Sequence, residues 1–351
     1  MAQINKPSDY FNTKLYTGTG ATQSITGVGF QPDFCWFKSR TSTESYRVFD
    51  AVRGATKHIV TNDSSAESTD ATGLTSFNTD GFSLSTGNPV NANSQNFASW
   101  NWLANGAGVA NTDGSISSTV SASATSGFSI VSYTGTGSNA TIGHGLGATP
   151  QVVLIKELNG TNNWVMSHQP LSASLGDYTR FMTLNSTSVV SGAGNVVFQG
   201  SAFTSSVFNV GTSVGSNGSS QNYIAYCFAE KQGYSKFGSY TGNGNADGTF
   251  VYTGFKPAFI IIKGAVSGNG DAAQNWELYD NKRLGYNVDN NSIFPNTNSA
   301  ESTGDRIDIL SNGFKIRINS DGVNDNNSTY IYMAFAEQPL VGTNNIPATA
   351  R

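Results

Sequence analysis

The apolar residues of this chain fall in short runs bounded by Gly, Asn, Asp or Pro, the punctuation of strands and not of helices. Val152-Val153-Leu154-Ile155 and Ile260-Ile261-Ile262 are continuously apolar and rich in β-branched residues. Such runs predict strands buried on both faces or central in a sheet. Phe82-Ser83-Leu84, Phe208-Asn209-Val210 and Phe314-Lys315-Ile316-Arg317-Ile318 alternate, which predicts one face on a core and the other toward water. Thr79-Asp80-Gly81, Asn159-Gly160, Asn312-Gly313 and Asp321-Gly322 supply tight turns. No stretch carries a convincing amphipathic helical period, so the expected class is all-β.

The pattern repeats. A Tyr-Thr-Gly step occurs at Tyr16, Tyr133 and Tyr240, and each is followed by a proline that opens an apolar run ending in lysine. The pairs are Pro32 and Lys38, Pro150 and Lys156, Pro257 and Lys263. Next come Tyr46–Asp50, Trp164–His168 and Trp276–Asp280, then Phe82, Phe203 and Phe314, then closing aromatic runs that end at Ala104, Ala229 and Ala336. Landmarks kept in one order mean that one structural unit was copied.

The expected fold is three tandem antiparallel β-sandwich, jelly-roll-like repeats. Repeat 1 takes residues 1–105, repeat 2 residues 127–232 and repeat 3 residues 233–338. Units of that size support a sandwich core without disulfide staples. Residues 106–126 are rich in Gly, Ala, Ser and Thr and lack aromatics, the composition of a linker, so repeat 1 is expected to be the freer unit. Glu230–Gly233 leads almost directly into Tyr234, so repeats 2 and 3 are expected to be closely docked. Residues 339–351 carry no core pattern and read as a tail that extends onto a neighbour.

Composition narrows the function classes. Charged residues are 12 % of the 351, and the net charge of −4 leaves no basic footprint for nucleic acid. No apolar run has the length of a membrane helix, so membrane insertion is not expected. Met1–Pro7 shows no hydrophobic signal-peptide core, which sets the expectation of a protein made in a cytoplasm and not exported by the usual route. A surface rich in Asn, Ser, Thr and Gly suits an extracellular protein. A virus particle, assembled inside a cell and active outside it, reconciles the two. Cys35 and Cys227 occupy apolar runs at unmatched repeat positions and read as buried free thiols.

Candidate chemistry is sparse. Asp50 with Arg53 and Asp280 with Arg283 occupy matching positions, where the second repeat has His168 and Leu171. An Asp-x-x-Arg pair forms a local bidentate ion pair that fixes a turn; a sugar hydroxyl or a cation is the alternative ligand. Lys38, Lys156 and Lys263 read as charged strand ends that discourage aggregation, with a ligand-binding edge as the alternative. Of Trp36, Trp100, Trp102, Trp164 and Trp276, most read as core, but Trp100 or Trp102 is expected to alternate outward and to stack on a sugar face. Gly18–Gly20, Gly135–Gly137 and Gly242–Gly244 are hairpin turns and lack the helix and lysine of a phosphate loop. His58, His144 and His168 have no partner at a metal or nucleophile spacing. Asp70, Asp247 and Asp305 lie in polar loops without an EF-hand ladder, so calcium stays an open alternative. No catalytic residue, cofactor or metal site is expected.

The order Tyr16–Gly20, Gly29–Lys38, Phe49–Gly54, Asp80–Leu84, repeated at Tyr240–Gly244, Gly254–Lys263, Tyr279–Arg283 and Asn312–Ile316, resembles uncharacterised virion structural or tail-fibre-like proteins of tailed bacteriophages. The second repeat departs from it at Gly145–Pro150. The resemblance implies a non-enzymatic virion structural protein on the particle surface, as tail fibre, adaptor or capsid decoration. It implies capsid or tail partners, a homo-oligomer with a trimer among the candidates, and a host-surface glycan as a further partner. The virion is the expected location, after assembly in the host cytoplasm. A carbohydrate-binding adhesion module is the alternative, and a polysaccharide-degrading tailspike the third.

Overall fold

The structure is a computed structural model that describes residues 3–192, 194–268, 274–283, 287, 291–342 and 347–349. It is nearly all β, in antiparallel sheets. One four-strand order occurs three times. In unit 1 the opening strand Phe11–Thr17 pairs with the closing strand Asn96–Trp102, which pairs with the lysine strand Phe34–Ser39, which pairs with the carboxylate strand Arg47–Asp50. Unit 2 repeats this with Phe128–Thr134, Asn222–Phe228, Val152–Glu157 and Val165–His168. Unit 3 repeats it with Ser235–Thr241, Thr329–Pro339, Phe255–Val266 and Glu277–Asp280. The register is the same: Lys38 lies opposite Ala98, Lys156 opposite Ile224, and Lys263 opposite Ile331.

Proline marks a local difference. Pro32 and Pro150 precede their strands, whereas Pro257 lies inside a longer one, where the register shifts on both sides of it. A bulge accommodates the missing N–H there.

The lysine strand of each four-stranded sheet is covered on both faces, which is why Val152–Ile155 and Ile260–Ile262 read as unbroken apolar runs. One face packs on a small sheet of its own unit. In unit 1 that sheet is Gln23–Thr26, Gly81–Leu84 and Leu74–Asn78, and Cys35, Phe37, Phe49, Phe82 and Leu84 form the core between. In unit 2 Ala140–Gly143 and Val207–Val210 play this part, and in unit 3 Phe250–Tyr252, Gly313–Ile316 and Ile307–Leu310. Cys35 and Cys227 are buried and free.

The other face of each sheet turns toward a centre shared by all three units. Phe34 meets Tyr226 at 4.7 Å between ring centroids, Trp102 meets Phe335 at 5.3 Å, and Phe228 meets Phe335 at 5.8 Å. Aromatic pairs at these separations add roughly 0.5–1.5 kcal/mol each beyond area burial. Along the lysine strands the alternation is strict. Phe34 and Trp36 point to the centre, and Cys35 and Phe37 to their own sandwich. Phe259 and Ile261 point to the centre, and Ile260 and Ile262 to theirs.

Two expectations are corrected. Residues 106–126 are not a free linker: Ser118–Ser123 pairs onto the opening strand of unit 2 and Val109–Asn111 pairs onto Ser118–Ser123, and with Arg180–Thr183 and Ser191–Gly192 at the other edge the sheet reaches eight strands. Unit 1 is not the looser unit, because Phe11 packs on Phe259 and Phe335 of unit 3, and Phe34 on Phe128 of unit 2. Short helices occur too. Gln169–Leu175 follows His168, whose side chain caps it, and ends at left-handed Gly176. The tail expectation falls partly on residues 343–346, 350 and 351, outside the described residues. Among the described residues, Thr329–Pro339 forms the long closing strand, and Ala348 N donates to Leu340 O at 2.7 Å.

Candidate functional site

The three units join in a ring through matched contacts. Glu67 N donates to Leu158 O at 2.8 Å, Val190 N to Ala265 O at 2.9 Å, and Glu301 N to Arg40 O at 3.0 Å. Each acceptor lies two residues past the repeat lysine. Unit 1 thus reaches unit 2, unit 2 reaches unit 3, and unit 3 returns to unit 1.

The Asp-x-x-Arg pairs sit in these seams. Asp50 Oδ1 accepts from Val52 N and Arg53 N, and its Oδ2 accepts from Arg53 Nε at 2.5 Å. The same Oδ2 accepts from Tyr226 Oη of unit 2 at 2.7 Å. Arg53 also donates to Val48 O and Glu67. In unit 3, Asp280 Oδ1 accepts from Lys282 N and Arg283 N, and Oδ2 accepts from Arg283 Nε at 2.7 Å and from Trp100 Nε1 of unit 1 at 2.9 Å. Arg283 donates to Leu278 O and Glu301, and its guanidinium lies 5.8 Å from the Trp100 ring. Burial opposes ionisation of Asp280, but Arg283 outweighs it and holds the carboxyl below the usual aspartate range.

Unit 2 replaces the whole constellation. His168 stands for the aspartate, Leu171 for the arginine and Val190 for the glutamate. Met333 of unit 3 occupies the closing-strand position of Trp100 and Tyr226: their partners in register are Ile261, Trp36 and Leu154. His168 Nδ1 still accepts from Leu171 N at 3.3 Å, so the turn-capping role survives without the charge. Burial drives the His168 pKa down to about 4, so the ring is neutral near pH 7.

The sequence therefore pairs Asp50 with Arg53 and Asp280 with Arg283 correctly, but all four are almost wholly enclosed. The outward alternation expected of Trp100 or Trp102 is corrected: they are 0 % and 2 % exposed. Both point to the common centre because they are two residues apart on one strand, so neither offers a face to a sugar. The lysines are corrected as well. Lys38, Lys156 and Lys263 are each 0 % exposed. Lys38 Nζ donates to Ser39 O and Ser42 O. Lys156 Nζ reaches Ser64 O of unit 1 at 3.1 Å, and Lys263 Nζ reaches Thr187 O of unit 2 at 2.8 Å. Burial lowers the pKa of each to about 8.

A buried asparagine in each unit escaped the sequence reading. Asn91 Oδ1 accepts from Thr19 N, Asn217 Oδ1 from Thr136 N, and Asn324 Oδ1 from Asn243 N, at 2.9 to 3.0 Å. Their amides donate to Ala21 O, Ser138 O and Asn245 O. These clamps lock the Gly-x-Gly turns, where left-handed Gly20, Gly137 and Gly244 donate N–H to the asparagine carbonyls. The signal was present: each asparagine precedes its closing strand by five residues.

Among the loop acids, Asp70 accepts from Thr72, and Asp247 pairs with Lys315 at 2.8 Å. Among the described residues no group of three His, Cys, Asp or Glu is placed to hold a metal, and no helix is long and apolar enough to cross a membrane. Two of the spaces among the described residues stand out. An apolar void of about 40 Å³ lies at the centre, between residues such as Trp102, Tyr226 and Met333. An open cleft of about 700 Å³ lies between units 2 and 3, bordered by Thr149, Gln151, Glu230, Lys236 and Tyr252.

Fold and seams together define a nearly all-β protein of antiparallel sandwich character, whose matched units close on a shared aromatic centre. A family model described as a domain of unknown function, DUF7483, matches residues 6–339, and the chain belongs to that family. No curated protein and no solved structure matches it.

Proposed function

We propose that this chain is a non-enzymatic structural protein of a tailed-bacteriophage particle, carried on the surface as a tail fibre, adaptor or capsid decoration. It works by protein–protein assembly and host-surface attachment. The observation that carries this reading is the ring of seams. The charged pairs and tryptophans most suited to ligand chemistry are spent on holding one unit to the next. Such a body is rigid and presents three equivalent sets of turns outward, which suits docking on a symmetric particle. The finer fold, three tandem jelly-roll-like sandwiches, is part of the proposal and is supported by the repeated strand order and the separate unit cores. The resemblance of Tyr16–Gly20, Gly29–Lys38 and their repeats to virion proteins supports the setting. Capsid or tail proteins are the proposed partners, with further copies of the chain, and the virion is the proposed location after assembly in the host cytoplasm.

Mass spectrometry of purified particles tests it. The chain is expected at a stoichiometry set by the particle's symmetry, and its absence from clean particles defeats the reading. The second reading, a carbohydrate-binding module, draws on the cleft beside Tyr252.

A further inference from the structure

The three small sheets provide an internal comparison. In each, a buried residue faces a phenylalanine: Ile25 opposite Phe82, Ile142 opposite Phe208, and Val251 opposite Phe314. The residues flanking it point the other way. In unit 1 these are Ser24 and Thr26, and in unit 2 Thr141 and Gly143. In unit 3 they are Phe250 and Tyr252, which are 44 % and 57 % exposed. The sandwich core does not require aromatics there, since the other two units fold with small or polar residues. An aromatic pair on one side of an edge strand, in only one copy of a repeated frame, is a placed feature.

Tyr252 also forms part of the wall of the cleft between units 2 and 3. The other lining groups mix apolar Leu340 and Val341 with polar Gln151 and Gln232 and with charged Glu230, Lys231 and Lys236. Lys236 pairs with Glu230 at 2.6 Å, and Gln151 Oε1 accepts from Glu230 N at 2.9 Å. Donors and acceptors thus stand beside an exposed ring, and Glu230 and Lys236 neutralise each other. An anion would meet Glu230, and a purely apolar ligand would strip the ion pair of water. A sugar ring has an apolar C–H face for the tyrosine and hydroxyls that both donate and accept.

We propose that this cleft is a saccharide-binding site, in which Tyr252, flanked by Phe250, stacks on an uncharged sugar while Gln151, Glu230 and Lys236 take its hydroxyls. The inference rests on the host-attachment half of the proposed function.

The test is titration of the full chain with neutral hexose and N-acetylhexosamine oligosaccharides, followed by calorimetry. Saturable binding is expected. Tyr252→Ala is expected to weaken it about 10-fold, the scale of one lost stacking contact. Phe250→Ser, which installs the unit 1 residue, is expected to weaken it by a smaller factor. Thr26→Ala, at the matched position of unit 1, is expected to bind as the parent does. Unchanged melting temperatures keep the comparison clear of misfolding. Absence of saturable binding overturns the proposal, as does binding that ignores Tyr252→Ala or that occurs only with anionic sugars or peptides. A chain present in particles but inert toward sugars defeats this inference alone; a sugar-binding chain absent from particles defeats the assembly reading alone.

Discussion

Trp100 Nε1 donates to Asp280 Oδ2 at 2.9 Å across 180 residues of chain, and Arg283 Nε holds the same oxygen. The matching seam between units 1 and 2 replaces the indole with the Tyr226 hydroxyl. Where the closing strand offers Met333, with no donor, the facing unit has lost its charged pair. Donor, carboxylate, guanidinium and second carboxylate therefore behave as one exchangeable set.

That set makes a direct prediction. Asp50→Ala leaves Arg53 buried without its main partner and is expected to cost about 3–5 kcal/mol. Transplanting the unit 2 solution, Asp50→His with Arg53→Leu, Glu67→Val and Tyr226→Met, is expected to stay within about 2 kcal/mol of the parent. Urea unfolding midpoints decide it. A transplant as damaging as the single truncation would show that the sets are not interchangeable.

The lysines predict an alkaline gain in stability. Their folded pKa values of about 8 lie below the ordinary 10.5, so between these limits the unfolded chain binds more protons. Stability therefore rises as pH increases from about 8 toward about 10, above which unfolded tyrosines begin to ionise and reverse the trend. Lys156→Met is expected to flatten this slope. A denaturation midpoint that falls between pH 8 and 9.5 in the parent would contradict the burial of these groups as charges.

Histidine sets the acid side. His58 and His168 both have pKa values lowered to about 4, chiefly by burial. Below pH 6.5 the unfolded chain takes up protons that the folded one refuses, so stability drops between about pH 6.5 and 4. His168→Asn preserves an acceptor for Leu171 N and is expected to shallow that drop. An unaltered acid slope in this variant, with the fold intact, would remove His168 from the account.

The asparagine clamps are expected to be costly to delete. Asn217→Ala strands Thr136 N together with Ser138 O and Gly211 O, and should lower stability by about 2–3 kcal/mol. Asn324→Ala should do the same in unit 3. Thermal melts measure both, and a loss below about 0.5 kcal/mol would mean that water replaces the clamp.

Removing unit 3 should open the ring. A chain ending at residue 232 exposes Phe11, Trp102 and Phe228, which otherwise pack on Phe335. Self-association is expected on size-exclusion chromatography. A monodisperse, cooperatively folded monomer would show that the shared centre is dispensable.

Much of the architecture is written locally. Pro32, Pro150 and Pro257 with their lysines mark three copies, and the runs Val152–Ile155 and Ile260–Ile262 announce strands covered on both sides, as they are. The Asp50–Arg53 and Asp280–Arg283 pairs are legible because a three-residue spacing suffices to form them. Residues 109–111 and 118–123 were not legible as strands, because small residues add to a sheet edge by backbone hydrogen bonds alone.

Strand character and turn chemistry could be read from the chain alone, since these depend on neighbours a few residues apart. The direction in which Trp100, Trp102 and the three lysines point is set by the packing of the units against one another. In a strand buried on both faces, alternation separates two sets of side chains but does not say which set meets its own sandwich and which meets the other units. That choice is made by contacts between Trp100 and Asp280, or Tyr226 and Asp50, that no local pattern encodes.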